Sequence, residues 1–439
     1  MNRALLGLAR LVIPALAVAA IGCGAAADEE ENNVDEVTNG ADAVTGDQCP
    51  APTGVKLNGQ SRFMYGINYA WLNFAADFGG LAKWGIKGVA ADAGTHEAKL
   101  KDMRAHGAGT VRWWLFPEFR GDGVQFDGSD TAVGLGPTTE ADLLKALELA
   151  DKADVDLMLT VFSFDNFRPT KDDFGIHVPG ISPMVRDANK RHALIDKVLR
   201  PLARAAEKSP YRHRLGSWDV INEPEWAING SNPYGDPAYT PMSDLDQVNH
   251  AQMETFIGEV IGALHQESSA LVTVGSAGMK WVNAWRHLPQ DFYQFHIYDW
   301  LNQYWPYNLS PSDFGLNDKP VVMGEFPIGG LSGVPFDTMM ESWYTNGYAG
   351  GMAWAYTDSA AGDIERLKPF ADKHSCETHY GNSAGGSTGG GSTGGGSTGG
   401  ACTDTPPDGS SYTCAQQAEW GKCGESWMAG KCNKSCKRC

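Results

Sequence analysis

The chain has 439 residues, a formal net charge of −18 and 42 % apolar content, enough for one large domain with a substantial core. No basic stripe is present to neutralise phosphates, which excludes nucleic-acid binding. The charge is uneven: residues 28–47 carry eight Asp or Glu and no Lys or Arg.

The first element in chain order is an export signal. Arg3 and Arg10 flank LVIPALAVAAIG, an apolar run too short to span a bilayer as a helix. Two processing sites are open. AIGC, ending at Cys23, resembles a bacterial lipoprotein signal covering residues 1–23, with Cys23 lipidated. Ala25, Ala26 and Ala27 offer a small-residue site for ordinary secretion. The lipoprotein form is preferred because residues 24–48 are too acidic to order themselves and suit a tether. The expected location is the outer membrane surface or the medium, with membrane contact only through a lipid.

Residues 49–376 alternate apolar runs with segments of helical spacing. The runs are FMYGINY (63–69), TVRWWLF (110–116), VDLMLTVFSF (155–164), SWDVINE (217–223), ALVTVGS (270–276), FYQFHIY (292–298), PVVMGEF (320–326) and GGMAWAY (350–356). Helices are expected over EADLLKALELADKAD, ANKRHALIDKVLRPLARAAEK and HAQMETFIGEVIGALHQE. Strand–helix alternation predicts an α/β fold with a parallel sheet. Eight near-continuously apolar strands predict a closed (β/α)8 TIM barrel.

Such a barrel carries its functional residues where strands end. The fourth run ends in Asn222 and Glu223, and the seventh in Glu325. Arg112 and Trp114 lie on the second, His296 and Tyr298 on the sixth, Trp354 on the eighth, and Asn68, Tyr69 and Trp71 close the first. Two carboxylates facing a pocket suit glycosidic cleavage: one protonates the leaving oxygen, the other meets positive charge at the anomeric carbon. Most glutamates are solvated, but these two terminate buried strands. Pro224, lacking an N–H, is expected to stop the fourth strand's ladder. Glu225 beyond it is expected in the loop, near substrate but outside the proton transfer. Trp226, Trp281, Trp285, Trp300 and Trp305 are candidates for an extended cleft. No HExxH or phosphate-binding Gly-Lys-Ser/Thr motif occurs; His96, His177 and His287 lack metal-ligand spacing, so no metal or cofactor is expected.

Taken together, FMYGINYAW, TVRWWLF, WDVINEPEW, FHIYD, PVVMGEFP and GMAWAY resemble glycoside hydrolase family 5 over about residues 55–360. The resemblance implies a retaining hydrolase with Glu223 as acid/base and Glu325 as nucleophile. It further implies Asn222 on the sugar 2-hydroxyl, Arg112 lowering the pKa of Glu325, His296 and Tyr298 lining the reactive subsite, and Trp354 as sugar platform. Trp71, Trp114 and Trp226 complete the substrate-binding set. One departure is the third strand, which ends in Ser163 and Asp165 where many members place a histidine. VRWWLF favours mannan or glucomannan as the polysaccharide, then cellulose-type β-glucan. An endo-acting, monomeric enzyme is expected. A barrel that only binds carbohydrate and a transglycosidase are the other readings; intact Glu223 and Glu325 speak against the first.

GGSTGGGSTGGGSTGG (385–400) has no side chain able to form a core, so residues 377–401 are expected to be a flexible linker. Six of the nine cysteines crowd into residues 402–439, a disulfide framework in an exported chain. Cys49 and Cys376 are expected to staple the ends of the large domain. The terminal segment resembles the ShK-type six-cysteine module, which implies pairings Cys402–Cys439, Cys414–Cys432 and Cys423–Cys436. A polysaccharide- or surface-binding role is expected for it.

Overall fold

The computed structural model describes residues 51, 53–301, 306–331, 333–357 and 363–378, with 414, 418, 422–424 and 435 near the C-terminus. Eight parallel strands close into a barrel. They are β1 (Met64–Asn68), β2 (Thr110–Trp114), β3 (Asp156–Ser163), β4 (Leu215–Asn222), β5 (Leu271–Ser276), β6 (Tyr293–His296), β7 (Val321–Glu325) and β8 (Gly350–Ala353). Seven lie inside their expected runs, and β4 begins two residues before its run, at Leu215. Nearly every strand residue is buried, as parallel strands covered on both faces must be.

Helices cover the barrel: α1 (Ala93–Ala105), α2 (Thr139–Ala153), α3, α4 (His250–Glu267), α5 (Phe336–Thr345) and α6 (Lys368–Lys373). α3 runs as Ala188–Leu194, passes through a π-helical turn at Ile195–Leu199 and ends as Arg200–Lys208. α4 starts at a capping box. Asn249 Oδ1 accepts from the Gln252 N–H, and Gln252 Oε1 accepts from the Asn249 N–H, satisfying two donors that helix geometry orphans. The alternation lapses after β5 and β6. Among the described residues those connections hold only 3-10 turns, at Met279–Trp281, Asp299–Leu301 and Pro311–Phe314. None of the helices among the described residues is long and apolar enough to cross a membrane.

Two features place the loops at the C-terminal rim. Below, the hairpin Val55–Leu57 with Gln60–Arg62 puts Val55 and Leu57 against Met64, Met158, Phe292 and Val322, plugging the barrel floor. Above, the long β1–α1 connection is clamped by two carboxylates. Asp77 accepts from the N–H groups of Leu72 and Asn73 and from Trp113 Nε1, at 2.7, 2.8 and 2.9 Å. Asp142 of α2 accepts from the N–H groups of Gly79 and Ala90. Cys376, Cys414 and Cys423 are disulfide-bonded. Cys23, Cys49, Cys402, Cys432, Cys436, Cys439, Trp305 and most of residues 377–439 lie outside the described residues.

Candidate active site

The site begins with a buried arginine. Arg112 points from β2 into the barrel with no exposure. A lone buried guanidinium is costly, so its donors must be used. Nε and Nη2 donate to Asp219 Oδ2 at 3.0 and 2.6 Å. Nη1 donates to Asn68 Oδ1 and to Glu325 Oε1 at 3.0 and 2.6 Å. Nη2 also donates to Asn222 Oδ1 at 2.9 Å. Asp219 takes further bonds from Thr160 Oγ1, Gln294 Nε2 and the Gly275 N–H. Asn68 Nδ2 donates to the carbonyls of Gly324, Met352 and Ala353. All eight strands thus contribute a side chain or a backbone group to one polar layer beneath the rim. Gly275 makes room for it, since a Cβ there would lie 2.8 Å from Gln294 Nε2 and 2.9 Å from Arg112 Nη2.

Glu325 sits above this layer. Arg112 holds one oxygen, and the Tyr298 hydroxyl donates to the other at 3.0 Å. Burial still pushes the Glu325 carboxyl up, helped by nearby Glu223; Arg112 and His296 oppose that rise. Arg112 does pull this carboxyl down, as expected, but burial outweighs that pull and leaves the group above its ordinary value. The Tyr298 phenol is raised by its own burial and then by the Glu325 charge.

Glu223 meets no arginine. The strand ends at Asn222, and Glu223 turns into the left-handed region at φ 51°. This is an uncommon conformation for a non-glycine residue and one that persists where surroundings enforce it. Asn222, the last strand residue, is two before Pro224, and the Glu223 N–H still donates to the Gly275 carbonyl at 2.6 Å. One Glu223 oxygen lies 2.7 Å from His296 Nδ1, and the other accepts from Trp226 Nε1 at 2.7 Å. Burial raises this carboxyl to about 7, against the Trp226 hydrogen bond and the Arg112 charge; Asp165 adds to the rise. Burial also lowers His296 to about 4, so its ring is neutral near pH 7. One oxygen from each glutamate and one His296 nitrogen lie within 4.8 Å of one another.

Two aromatic groups flank the carboxylates. Trp71, Trp114 and Trp354, after β1, on β2 and after β8, meet at 5.8, 5.5 and 6.4 Å between ring centroids. Trp114 is buried and lies under the Arg112 cation at 4.5 Å, so it supports the arginine and offers little face to a sugar. Across the mouth, Trp226 packs on Trp281 and Trp300 at 5.6 and 5.4 Å.

Several cleft expectations are corrected. Trp281 and Trp285 are 0 % and 4 % exposed and belong to the core; Trp300, at 41 %, stays at the rim. Glu225 is fully buried rather than beside a substrate path. It accepts from Ser276 Oγ, Trp285 Nε1 and the Ala277 N–H at 2.6, 2.7 and 3.0 Å, tying the β4 loop to the β5 loop. Ser163 caps the turn after β3, accepting from the Asp165 N–H, while Asp165 pairs with Arg168. His96 bonds the Tyr69 hydroxyl and His177 pairs with Asp130. Asp219 and Gln294 were missed by the sequence reading. Their signal is a charged or amide residue inside a buried apolar run, which must find a partner there.

No family model matches the sequence. A mannan endo-1,4-β-mannosidase of Mytilus edulis is 30 % identical over 337 residues, covering 70 % of this chain and 87 % of that protein. The crystal structure of the β-mannanase from the blue mussel Mytilus edulis aligns at TM-score 0.57 and 27 % identity, over 71 % of this chain and 93 % of its own. A β-1,4-mannanase structure from the sea hare Aplysia kurodai aligns at TM-score 0.61 with 22 % identity, over 74 % of this chain and 97 % of its own, and speaks for the fold. With a closed eight-stranded parallel barrel and the Asn-Glu and Glu strand ends in place, the chain belongs to the mannan endo-1,4-β-mannosidase family of (β/α)8 glycoside hydrolases.

Proposed function

We propose that this protein is an exported endo-β-1,4-mannanase that works by double displacement, with Glu325 as nucleophile and Glu223 as acid/base. The observation that carries the reading is the contrast between the two carboxylates. Burial raises both carboxyls, but only Glu325 has an arginine in contact: Arg112 and Tyr298 clasp it, and the Arg112 charge favours its ionised form against that burial. Glu223 has no cation at contact distance and rises to about 7 through burial, which favours its protonated form. Environments that separate two neighbouring acids in this way divide the roles of base and acid.

Retention is supported by proximity. Glutamate oxygens within 4.8 Å of one another are nearer the roughly 5–5.5 Å spacing of retaining enzymes than the roughly 6.5–9.5 Å at which inversion fits a water between carboxylates. In the first step Glu325 attacks the anomeric carbon, and Glu223 gives its proton to the departing glycosidic oxygen. A glycosyl ester on Glu325 and an ionised Glu223 result. Glu223 then takes a proton from water as that water attacks the same carbon, releasing Glu325. Asn222, with Oδ1 occupied by Arg112, retains its NH2 to donate to the sugar 2-hydroxyl. Trp354 offers the platform beneath the reacting sugar.

Mannan as substrate and endo action are supported by the activities named for the relatives. Export rests on the leader ending near Cys23, with lipidation there the preferred form. The terminal module is read as an ShK-like framework with the pairings stated above, binding polysaccharide or a surface; Cys414 and Cys423 being disulfide-bonded supports the framework. The test is a digestion of mannan, glucomannan, carboxymethylcellulose, xylan and laminarin, with NMR of the first anomer released. Cleavage of mannan with a β-anomer is expected. A first-formed α-anomer would assign an inverting mechanism, and tight binding without cleavage would assign a binding protein. Glu223→Ala and Glu325→Ala should each lower kcat by about 10³-fold or more with the fold intact.

A further inference from the structure

The loops after β1, β2 and β3 carry an aromatic surface that the catalytic geometry does not use. Phe174, at the tip of the hairpin Lys171–Asp173 with Ile176–Val178, is 87 % exposed, the largest exposure of any large apolar side chain among the described residues. It also adopts φ 46° and is followed by Gly175 at φ 78°. Turns of this hand favour Asn, Asp or Gly, and a bulky residue in the first position is an outlier. A ring held in a strained turn and displayed to solvent gains nothing for folding.

This ring has a companion. Trp84, on the β1–α1 loop, is 41 % exposed, and its neighbour Lys83 donates through Nζ to the Gly175 carbonyl. Arg120, from the β2 loop, joins the two: Nη2 pairs with Asp173 at 2.8 Å, and Cζ lies over the Trp84 ring at 5.9 Å. Glu118 holds the same guanidinium at 3.0 Å. Arg120 Nε has no hydrogen-bond partner among the described residues. Beside it opens a cavity of about 530 Å³ walled by Phe119, Phe126, Ile176 and His177, within the size range of ligand sites.

The surface is continuous with the reaction centre. Arg120 also lies over Phe74 at 5.8 Å, and Phe74 packs edge-on against Trp71 at 4.8 Å. Trp71 in turn belongs to the group with Trp354. The polarity of the track follows from Trp226, which hydrogen-bonds Glu223: its side of the mouth faces the departing sugars. The strand order places β8, β1 and β2 across the barrel from β4, β5 and β6, so the Trp71 side faces the sugars that stay on the enzyme.

We propose that the loops following β1, β2 and β3 form a distal glycone-side subsite for a β-1,4-mannan chain, where Trp84 and Phe174 stack on sugar faces and Arg120 donates to hydroxyls. Apolar C–H faces of a hexose match exposed rings, and a fixed guanidinium supplies donors that a polyol accepts. The inference rests on the reading of Glu223 and Glu325 as the catalytic pair and of mannan as substrate. It explains why a residue unfavourable in its turn is kept at full exposure.

The experiment compares kcat/KM on mannohexaose and on mannotriose for the full-length chain and two variants. Phe174→Asn suits the left-handed turn, so its thermal stability should equal or exceed that of the parent. The double variant Trp84→Ala/Phe174→Asn removes both rings. Each variant should lose activity on mannohexaose, the double variant roughly tenfold, while mannotriose cleavage stays unchanged. Equal losses on both substrates, or no loss on the hexaose, would overturn the inference. If the parent chain cleaves no manno-oligosaccharide, the mannanase reading fails and this one with it. If the parent cleaves mannohexaose and the variants match it, only the distal subsite fails.

Discussion

Glu223 and Glu225 stand two residues apart, and burial raises both to about 7, yet their neighbours give them different work. Glu225 spends both oxygens on donors fixed in the β5 loop. Glu225→Ala would orphan those three donors, and we expect a loss of about 3 kcal/mol in urea unfolding at pH 5. Glu225→Gln keeps part of the acceptor set and gains with pH. The folded-state value lies above the ordinary 4.5, so the stability this carboxyl contributes is full below pH 4.5 and is lost as pH rises through about 7. The Gln variant should therefore improve relative to the parent across that window; a constant difference would mean the group does not titrate there. Glu223 instead is bonded to one side chain that can be edited cleanly. Trp226→Phe keeps the ring on Trp281 and removes the N–H that favours the ionised acid. The descending limb of the kcat/KM profile should move to higher pH by roughly one unit. An unmoved limb would leave Trp226 a packing residue.

At the scale of the elements, the active site depends on strands that carry glycine where a side chain would intrude. Gly275 of β5 faces Gln294 and Arg112, both buried and hydrogen-bonded, so neither can swing aside. Gly275→Ala should displace the guanidinium by a few tenths of an ångström or more. Stability is expected to fall by about 1–3 kcal/mol, and kcat by at least about tenfold through the misplaced Glu325, checked by steady-state kinetics beside thermal unfolding. The strands themselves were legible because each is a buried run bounded by polar segments, and α4 because its apolar spacing meets a cap at Asn249. Glu223, Glu325, Arg112, His296 and Tyr298 were legible as strand-end residues, and the structure brings all five together. What stayed hidden is non-local. Asp219 matters because β2, β3, β5 and β6 aim Arg112, Thr160, Gly275 and Gln294 at it, a register no single segment specifies. Trp281 and Trp285 look like cleft residues in sequence, but Glu225 draws their loop inward and buries them. The missing helices after β5 and β6 could not be read from the spacing of the strands alone.

For the whole molecule the question is whether the barrel is a complete enzyme. The polar layer, both glutamates and both aromatic groups fall within residues 68–354, and the floor hairpin starts at Val55. Solved mannanases of this fold align over 71–74 % of this chain and 93–97 % of their own, which frames a test of whether the terminal segment is needed for catalysis. Its proposed tether of 16 residues, 385–400, would reach about 20–24 Å from end to end if it behaves as a Gly-rich coil. A module on such a tether adds affinity for a solid substrate through local concentration and leaves the chemistry untouched. A chain ending after residue 378 should therefore keep kcat/KM on soluble manno-oligosaccharides within about twofold, while its activity on insoluble mannan falls by about tenfold or more. Pull-down on insoluble mannan with the Glu325→Ala variant, with and without residues 379–439, separates binding from turnover. Equal retention of both forms would remove the polysaccharide-binding role from the module. A loss on soluble substrate would mean that the terminal segment takes part in building the catalytic unit.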